Sequence, residues 1–182
     1  MGTITKKKVN IYIVDADRDV NTLNGSDVLK GEIREYALSG GDQEFETENV
    51  FGGQIDIINP RDQFELELTI RPNMEHVERF KSLSMGSFTI GGETFYSPSL
   101  DGEPQLVVIE AIDGSNKETW ALNNARNVTF NFSHNADESR EGTISMGISP
   151  EDGDGVPQVI SSKTDVDGFP TWAAIKAEFD AS

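Results

Sequence analysis

Carboxylates at short spacings are the residues in this sequence whose types best suit chemistry. Asp15, Asp17 and Asp19 match the first three ligands of an EF-hand calcium loop. The match then ends, because position six is Val20 where the turn needs glycine, and position twelve is Ser26 where a bidentate glutamate belongs. An incomplete loop cannot enclose the ion, so this segment predicts an acidic turn without a metal.

Other groups that could hold a metal are equally incomplete. Two further acidic pairs fail the same template: Asp152 with Asp154, and Asp165 with Asp167. His76 and His134 are the only imidazoles, and no His-Glu-x-x-His motif or third nearby ligand accompanies either of them. The chain has no cysteine, which excludes disulfides and thiolate ligands. We therefore expect no metal and no cofactor.

Glu65 and Glu67 form the best candidate pair for acid–base catalysis. Two residues apart on a strand, they would stand on one face about 7 Å apart, and glycosidases use carboxylate pairs at such distances. Such a site also needs a concave cleft around a sugar, and the neighbouring sequence supplies none. No nucleophile elbow or phosphate-binding glycine loop is present. We predict no catalytic residue, with a glycosidase using this pair as an alternative.

The charge balance excludes other classes of function. Fifteen Lys and Arg face thirty-two Asp and Glu, for a net charge of −17. Nucleic-acid binders and proteins that dock on anionic membranes need clustered bases instead. The N-terminus lacks the apolar core of a signal peptide, and no run of about 18 apolar residues exists. We expect a soluble protein that is made in a cytoplasm and has no membrane partner.

Alternating apolar and polar residues dominate the elements that would position these groups. A period of two predicts strands with one buried and one wet face. The clearest cases are Phe64–Ile70, Val128–Phe132 and Ile144–Ile148. Shorter candidates are Val9–Val14, Gln54–Ile58 and Glu118–Leu122. The segment Leu106–Ile112 is apolar on both faces, which predicts a central strand, and an Asp-Gly turn follows it. The pattern predicts a mainly β protein, an antiparallel sandwich or barrel.

Helices and loops complete the organisation. Met74, Val77, Phe80 and Leu83 share one face of a helix predicted over 73–85, and a weaker pattern predicts a short helix over 171–179. Glycine and proline mark loops at 39–53 and 91–104. We expect a β domain over 1–150 and an acidic C-terminal extension over 151–182.

The 39–53 loop is unusual because it is acidic, lacks any base, and still carries Phe45, Val50 and Phe51. Exposed apolar side chains reduce solubility unless something covers them, so this loop predicts contact with a partner.

The order of these elements resembles the major tail (tail tube) proteins of tailed bacterial or archaeal viruses. The resemblance spans roughly 27–150. It is carried by Asp27–Gly53, by the strand Phe64–Arg71 followed at once by a helix, and by Asn124–Phe130 and Glu138–Ile144. The segment after Pro150 has no counterpart in the family pattern and is expected to form an added surface arm.

The resemblance implies a structural virion protein and no enzyme. Its subunits would close into rings of six and stack into the tail tube, through which the genome passes without specific binding. Other partners would be the tape measure, tail terminator and distal tail or baseplate proteins, with assembly in the host cytoplasm. The expected lumen-lining residues are Glu65, Glu67 and Asp56, and the expected ring-to-ring contacts are Phe45, Val50 and Phe51.

A carbohydrate- or receptor-binding β-sandwich on a virion is the main alternative. It too would be acidic, soluble and free of cysteine. Such a domain needs aromatic side chains on an exposed face, for which Trp120 and Tyr96 are the candidates.

Overall fold

Antiparallel strands make up most of the structure, a computed structural model, and two helices flank them. The predicted fold class, mainly β with antiparallel sheets and a flanking helix, is therefore confirmed. The residues that the structure describes are 8–25, 27, 33–43, 45–50, 53–58, 61–71, 77–133, 141–162 and 168–180.

Eleven strands and two helices follow one another along these residues. The strands are β1 (Lys8–Asp15), β2 (Ile33–Gly40), β3 (Phe45–Val50), β4 (Gly53–Ile58), β5 (Phe64–Ile70), β6 (Gly86–Ile90), β7 (Glu93–Ser97), β8 (Gln105–Asp113), β9 (Asn116–Ser133), β10 (Glu141–Ile148) and β11 (Val159–Ser161). The helices are α1 (Val77–Ser84) and α2 (Trp172–Asp180), and a 3₁₀ turn covers Val20–Thr22.

The long strand β9 joins two sheets. Its first half pairs with β8, which pairs with β1, while β11 adds to the other side; we call this the β1 sheet. Its second half pairs with β10, then β5, then β2; we call this the β5 sheet. Asn124, near the crossing point, has a φ of 54°. Asn tolerates this left-handed conformation better than most residues, which lets the strand change direction there.

The main core lies between the two sheets. The alternation seen in the sequence becomes strict burial: Leu66, Leu68 and Ile70 on β5 have no exposed surface, while Glu65 and Glu67 between them are exposed. The same core contains the inward side chains of β10 and one face of the β1 sheet, and Phe80 of α1 inserts fully into it. Burial of this size is the dominant stabilising term.

A second apolar layer covers the other face of the β1 sheet. Val156, Phe169, Trp172 and Ile175 pack on the side chains that β1 and β8 direct away from the main core. Asn21 ties the layer down, because its side chain accepts from the Phe169 N–H at 2.9 Å and donates to the Phe169 carbonyl at 2.6 Å. The C-terminal segment therefore packs on the sheet and does not project as an arm. Whether residue 150 separates two domains stays a prediction.

Two hairpins stand outside these layers, and both correct the predicted loops. Within 39–53, β3 is a strand that pairs with β4, and within 91–104, β7 pairs with β6. In the described part of the chain, each pair forms a two-stranded sheet of its own. The sequence marked Gln54–Ile58 as a strand but not its partner β3, and the glycine residues at both ends of 39–53 and within 91–104 favoured loops.

The helices differ from prediction mainly in their limits. α1 begins at Val77 in the described residues; Met74 and the predicted cap lie outside them. The short C-terminal helix is present one residue later than expected, and the Thr171 hydroxyl accepts from the Ala174 N–H at 3.2 Å as a cap. Neither described helix has the length and apolarity that a bilayer crossing requires.

Candidate functional site

The outward face of the β5 sheet holds the first two predicted site residues together. Glu65 and Glu67 both lie exposed on β5, on the side opposite the core. Their neighbours across the strands are small, with Ala37 and Ser39 on β2 and Ser145 on β10. The two carboxylates therefore face an open sheet surface, which suits a wall better than an acid–base pair around a substrate.

Charges on this face are mostly negative. Glu35 adds a third carboxylate on β2, while Arg126 is a base at the far side on β9. Arg71 lies 3.5 Å from Glu141, so that pair contributes little net charge. Thr69, Thr129, Asn131 and Thr143 supply uncharged polar groups.

In the described part of the chain, both edges of the β5 sheet are open. Over the described residues, β2 pairs with β5 on one side only, and residues 126–133 of β9 pair only with β10. Unpaired N–H and C=O groups on such edges are templates for another strand. The sheet thus has one apolar face, one polar face and two edges able to accept a neighbour.

Asp56, the third predicted lumen residue, is on a different element. It lies in β4, opposite Thr47 of β3, and so belongs to the β3–β4 hairpin and not to the sheet that carries Glu65. Of the predicted ring-to-ring contacts, Phe45 pairs with Ile58 and Val50 pairs with Gly53 in the same hairpin. Phe51 lies outside the described residues.

Close packing and two hydrogen bonds hold the base of the β3–β4 hairpin. Gly40 and Gly41 have φ values of 88° and 75°, and a Cβ on Gly41 would overlap the Phe64 ring. The Arg61 guanidinium donates to the Gly41 carbonyl at 3.0 Å, and the backbone N–H of Asp62 donates to the Asp42 carbonyl at 2.9 Å. These contacts fix the direction in which the hairpin leaves the sandwich.

The acidic motifs that resembled metal sites have structural roles. Asp17 accepts from the Asn123 side chain at 2.7 Å, and Asp19 accepts from the Asn21 N–H at 2.9 Å to cap the 3₁₀ turn. Asp152 accepts from the backbone N–H groups of Asp154 and Val156, both at 2.9 Å.

The remaining metal candidates, Asp165, Asp167, His76 and His134, lie outside the described residues. Among the described residues, no cluster of three or more potential ligands is present.

A part-buried network on the β1 sheet carries the clearest electrostatic effects. The Glu110 carboxylate accepts from the Tyr12 hydroxyl at 2.7 Å, from the Asn10 amide at 3.3 Å and from the Lys117 ammonium at 3.2 Å. Burial alone would raise the pKa of Glu110, but these donors outweigh it and hold that pKa below its ordinary value. Burial, reinforced by Glu110, raises the pKa of the Tyr12 hydroxyl. Near neutral pH Glu110 therefore stays ionised and Tyr12 stays protonated.

The candidates for glycan stacking do not form an exposed platform. Trp120 packs against the main core, and its Nε1 donates to Glu118 at 2.9 Å. The half-buried Tyr96 ring has the Lys81 ammonium 5.9 Å from its centre. Sequence reasoning missed an exposed aromatic pair, Phe88 and Phe95 on the β6–β7 hairpin. Phe88 and Ile90 alternate with Ser87 and Thr89 over only one short segment, and the glycine and proline residues that follow favoured a loop.

The sheets, open edges and projecting hairpins together can be compared with solved structures. The chain shares its fold with proteins of contractile injection systems. It is similar to a chain of the sheath–tube complex of an extracellular contractile injection system called PVC, in the extended state (TM-score 0.50, 13% identity, covering 85% of this chain and 88% of that one). It is also similar to a chain from the sheath/tube terminator of that system (TM-score 0.52, 14% identity, covering 90% and 99%). No family model and no curated protein matches the sequence.

Proposed function

We propose that this protein is a structural subunit whose copies close into rings of six and stack into the tube of a viral tail or related injection device. The observation that carries the proposal is the β5 sheet, with its apolar face in the core, its polar face outward and, among the described residues, both edges unpaired. The likeness to injection-system proteins supports it at the level of fold. The function is assembly, not catalysis.

Ring closure follows from the two open edges. The edge of β2 in one subunit would pair with the second half of β9 in the next, so that each subunit adds four strands to one continuous barrel. Closing a sheet on itself removes the edges that would otherwise invite aggregation. Because the two edges differ, each subunit contacts the next head-to-tail. Such a contact forms a closed ring when the rotation from one subunit to the next is a whole fraction of a full turn.

The polar face of the β5 sheet would then line the lumen. Duplex DNA carries one negative charge per ~1.7 Å of its axis, so a wall rich in bases would hold it. The carboxylates of Glu35, Glu65 and Glu67 repel it within a Debye length of about 8–10 Å. We propose that genomic DNA passes this wall without specific binding.

The β3–β4 hairpin is proposed to reach the adjacent ring. Its held base gives it a fixed direction, and Phe45, Val50 and Phe51 would be the apolar contacts. Replacing Phe51 with Asp is expected to leave a folded subunit that no longer stacks. At the tube ends the partners would be tape measure, terminator and distal tail or baseplate proteins, in a virion tail assembled in the host cytoplasm.

A tube terminator is the second candidate. It is favoured by the similarity to the sheath/tube terminator structure, almost all of whose chain is covered by this one. A terminator would form a single ring that stops growth, whereas a tube subunit continues to stack.

Cysteine cross-linking tests the ring directly, because the chain has no cysteine of its own. A variant with Ala37→Cys on β2 and Asn131→Cys on β9 would be treated with a short bifunctional thiol reagent. We expect a ladder of covalent oligomers ending at six, and each single-cysteine variant should give no species beyond a dimer. Negative-stain electron microscopy then separates stacked tubes from single rings. A chain that stays monomeric and gives no ladder would contradict the proposal.

A further inference from the structure

The β6–β7 hairpin presents an apolar surface to solvent. Phe88, Ile90 and Phe95 occupy one of its faces, with 43%, 65% and 47% of their surface exposed. Phe88 and Phe95 are cross-strand partners, and their rings stack with centroids 5.8 Å apart. We call these three side chains the hairpin patch. A two-stranded hairpin is marginally stable alone, so exposed aromatic side chains on it need an explanation beyond folding.

The hairpin is fixed at its base. The Gly86 N–H donates to the Leu100 carbonyl at 2.8 Å, and a Cβ at position 86 would come within 2.6 Å of the Leu100 Cβ. On the face opposite the patch, Tyr96 lies under the Lys81 ammonium of α1. The base therefore sets the direction of the hairpin, while its tip at Gly91 is exposed.

The hairpin is also nearly uncharged. Between Gly86 and Ser97 the only charged residue is Glu93, which lies opposite Ile90 at the edge of the patch. The whole chain has a net charge of −17, so two copies repel each other over most of their surfaces. Neutral apolar surfaces are where such copies can meet at the lowest electrostatic cost.

An apolar groove elsewhere in the described part of the molecule has matching properties. It runs between β11 and α2, measures about 560 Å³, and is open to solvent. Its lining includes Val159, Ile160, Pro170, Ile175 and Phe179. Among the described residues that line it, Glu178 is the only charged one. We call it the α2 groove.

We infer that the hairpin patch of one copy seats in the α2 groove of a second copy, in the neighbouring ring. The inference rests on the proposed function. One surface is convex and the other concave, and both are apolar and almost uncharged in an otherwise acidic molecule. The sheet edges already account for contacts within a ring, so this additional head-to-tail contact joins rings and can propagate along a tube.

This contact adds to the one proposed for the β3–β4 hairpin. Between residues 39 and 58 the chain carries five acidic residues and no base, so that hairpin brings like charges together when identical copies stack. The hairpin patch and the α2 groove carry little charge, so they add a ring-to-ring contact with less repulsion.

Matched glutamate substitutions test the contact. Ile90→Glu places a charge in the patch, and Thr89→Glu places the same charge at the adjacent exposed residue on the opposite hairpin face. Ala174→Glu places a charge in the α2 groove. Ala173→Glu places the same charge at the neighbouring exposed residue of α2, outside the groove lining.

We expect Ile90→Glu and Ala174→Glu to form rings but to raise the protein concentration needed for tubes at least tenfold. The controls at Thr89 and Ala173 should form tubes as the unchanged protein does. Sedimentation velocity and electron microscopy measure both outcomes. If Ile90→Glu forms tubes at the original concentration, the inference is overturned while the proposed function stands. If the unchanged protein forms no rings, both fall.

Mixing the two defective variants identifies the partner surfaces. Ile90→Glu rings keep an intact groove, and Ala174→Glu rings keep an intact hairpin patch. Their mixture should form pairs of rings and nothing longer. A mixture that stays as single rings would show that the hairpin patch does not seat in the groove.

Discussion

At the scale of single residues, position decides what each carboxylate does. Glu110 is nearly buried and satisfied by three donors, whereas Glu65 and Glu67 are exposed on a sheet face. Asp152 caps its own turn by accepting from the Val156 N–H, and Asp17 accepts from the side chain of the distant Asn123. A buried ionised group stabilises the fold only through its partners, while an exposed one acts through the field of the surface.

The Glu110 network predicts a specific acid sensitivity. Its folded-state pKa lies below the ordinary value of 4.5, so its contribution to stability is complete above about that pH. The contribution is lost as the pH falls through the folded pKa. Urea unfolding between pH 6 and pH 3 should show the steepest loss for the unchanged protein, a smaller loss for Tyr12→Phe, and the smallest for Glu110→Gln. Parallel curves for all three would contradict this role.

Gly41 predicts a backbone effect at the base of the β3–β4 hairpin. Gly41→Ala should lower the free energy of unfolding by ~1–3 kcal/mol, because the added Cβ meets the Phe64 ring and the φ of 75° strains any other residue. Gly153→Ala is the control, since nothing lies within 4 Å of its Cβ position. Equal unfolding midpoints for the two variants would refute the constraint.

At the scale of elements, the C-terminal helix α2 contributes both to the core and to an exposed surface. Trp172 and Ile175 of α2 cover one face of the β1 sheet, while Phe179 on the same helix stays 47% exposed in the groove. One helix thus contributes to a core on one side and to a candidate docking surface on the other. The β6–β7 hairpin, by contrast, leaves Phe88, Ile90 and Phe95 exposed and available for contacts.

Substitutions in α2 should separate packing from hydrogen bonding. Ile175→Ala should cost ~2–4 kcal/mol of unfolding free energy through lost burial and a cavity. Trp172→Phe should cost much less, because the indole N–H that it removes is buried without a hydrogen-bond partner among the described residues. Thermal or denaturant unfolding measures both. A Trp172→Phe loss as large as that of Ile175→Ala would show that the N–H is satisfied.

At the scale of the whole molecule, the acidic charge and the sheet geometry act together. A net charge of −17 keeps free subunits apart and soluble, and assembly must then proceed through surfaces that carry little charge. The hairpin patch and the α2 groove meet that condition. In the proposed tube, the acidic face of the β5 sheet would line the channel and repel a passing polyanion.

Charge reversal on the sheet face tests that role. Tubes of the Glu65→Lys, Glu67→Lys double variant should bind short duplex DNA at least tenfold more tightly than unchanged tubes at low salt. Binding should weaken steeply as salt is added. The control is an Asp101→Lys, Asp113→Lys double variant, whose exposed residues lie off this face. Co-sedimentation of labelled DNA with the tubes measures the difference, and equal binding by both variants would contradict a lumen position.

The sequence alone determined the features that depend on near neighbours. Alternation at 64–70 and 144–148 predicted strands and their buried sides, because successive strand residues point to opposite faces. The two-sided apolar run at Leu106–Ile112 predicted a central strand, and β8 is buried on both faces between β1 and β9. The net charge likewise needs no structure.

Only the tertiary structure decided which distant segments meet. It separated Asp56 from Glu65 and Glu67 by placing it on its own hairpin, although a strand pattern marked both segments. It brought α2 onto the β1 sheet and left Phe88 and Phe95 exposed. Strand partners, registers and the faces they cover depend on contacts between residues far apart in the chain, and local side-chain patterns do not encode them uniquely.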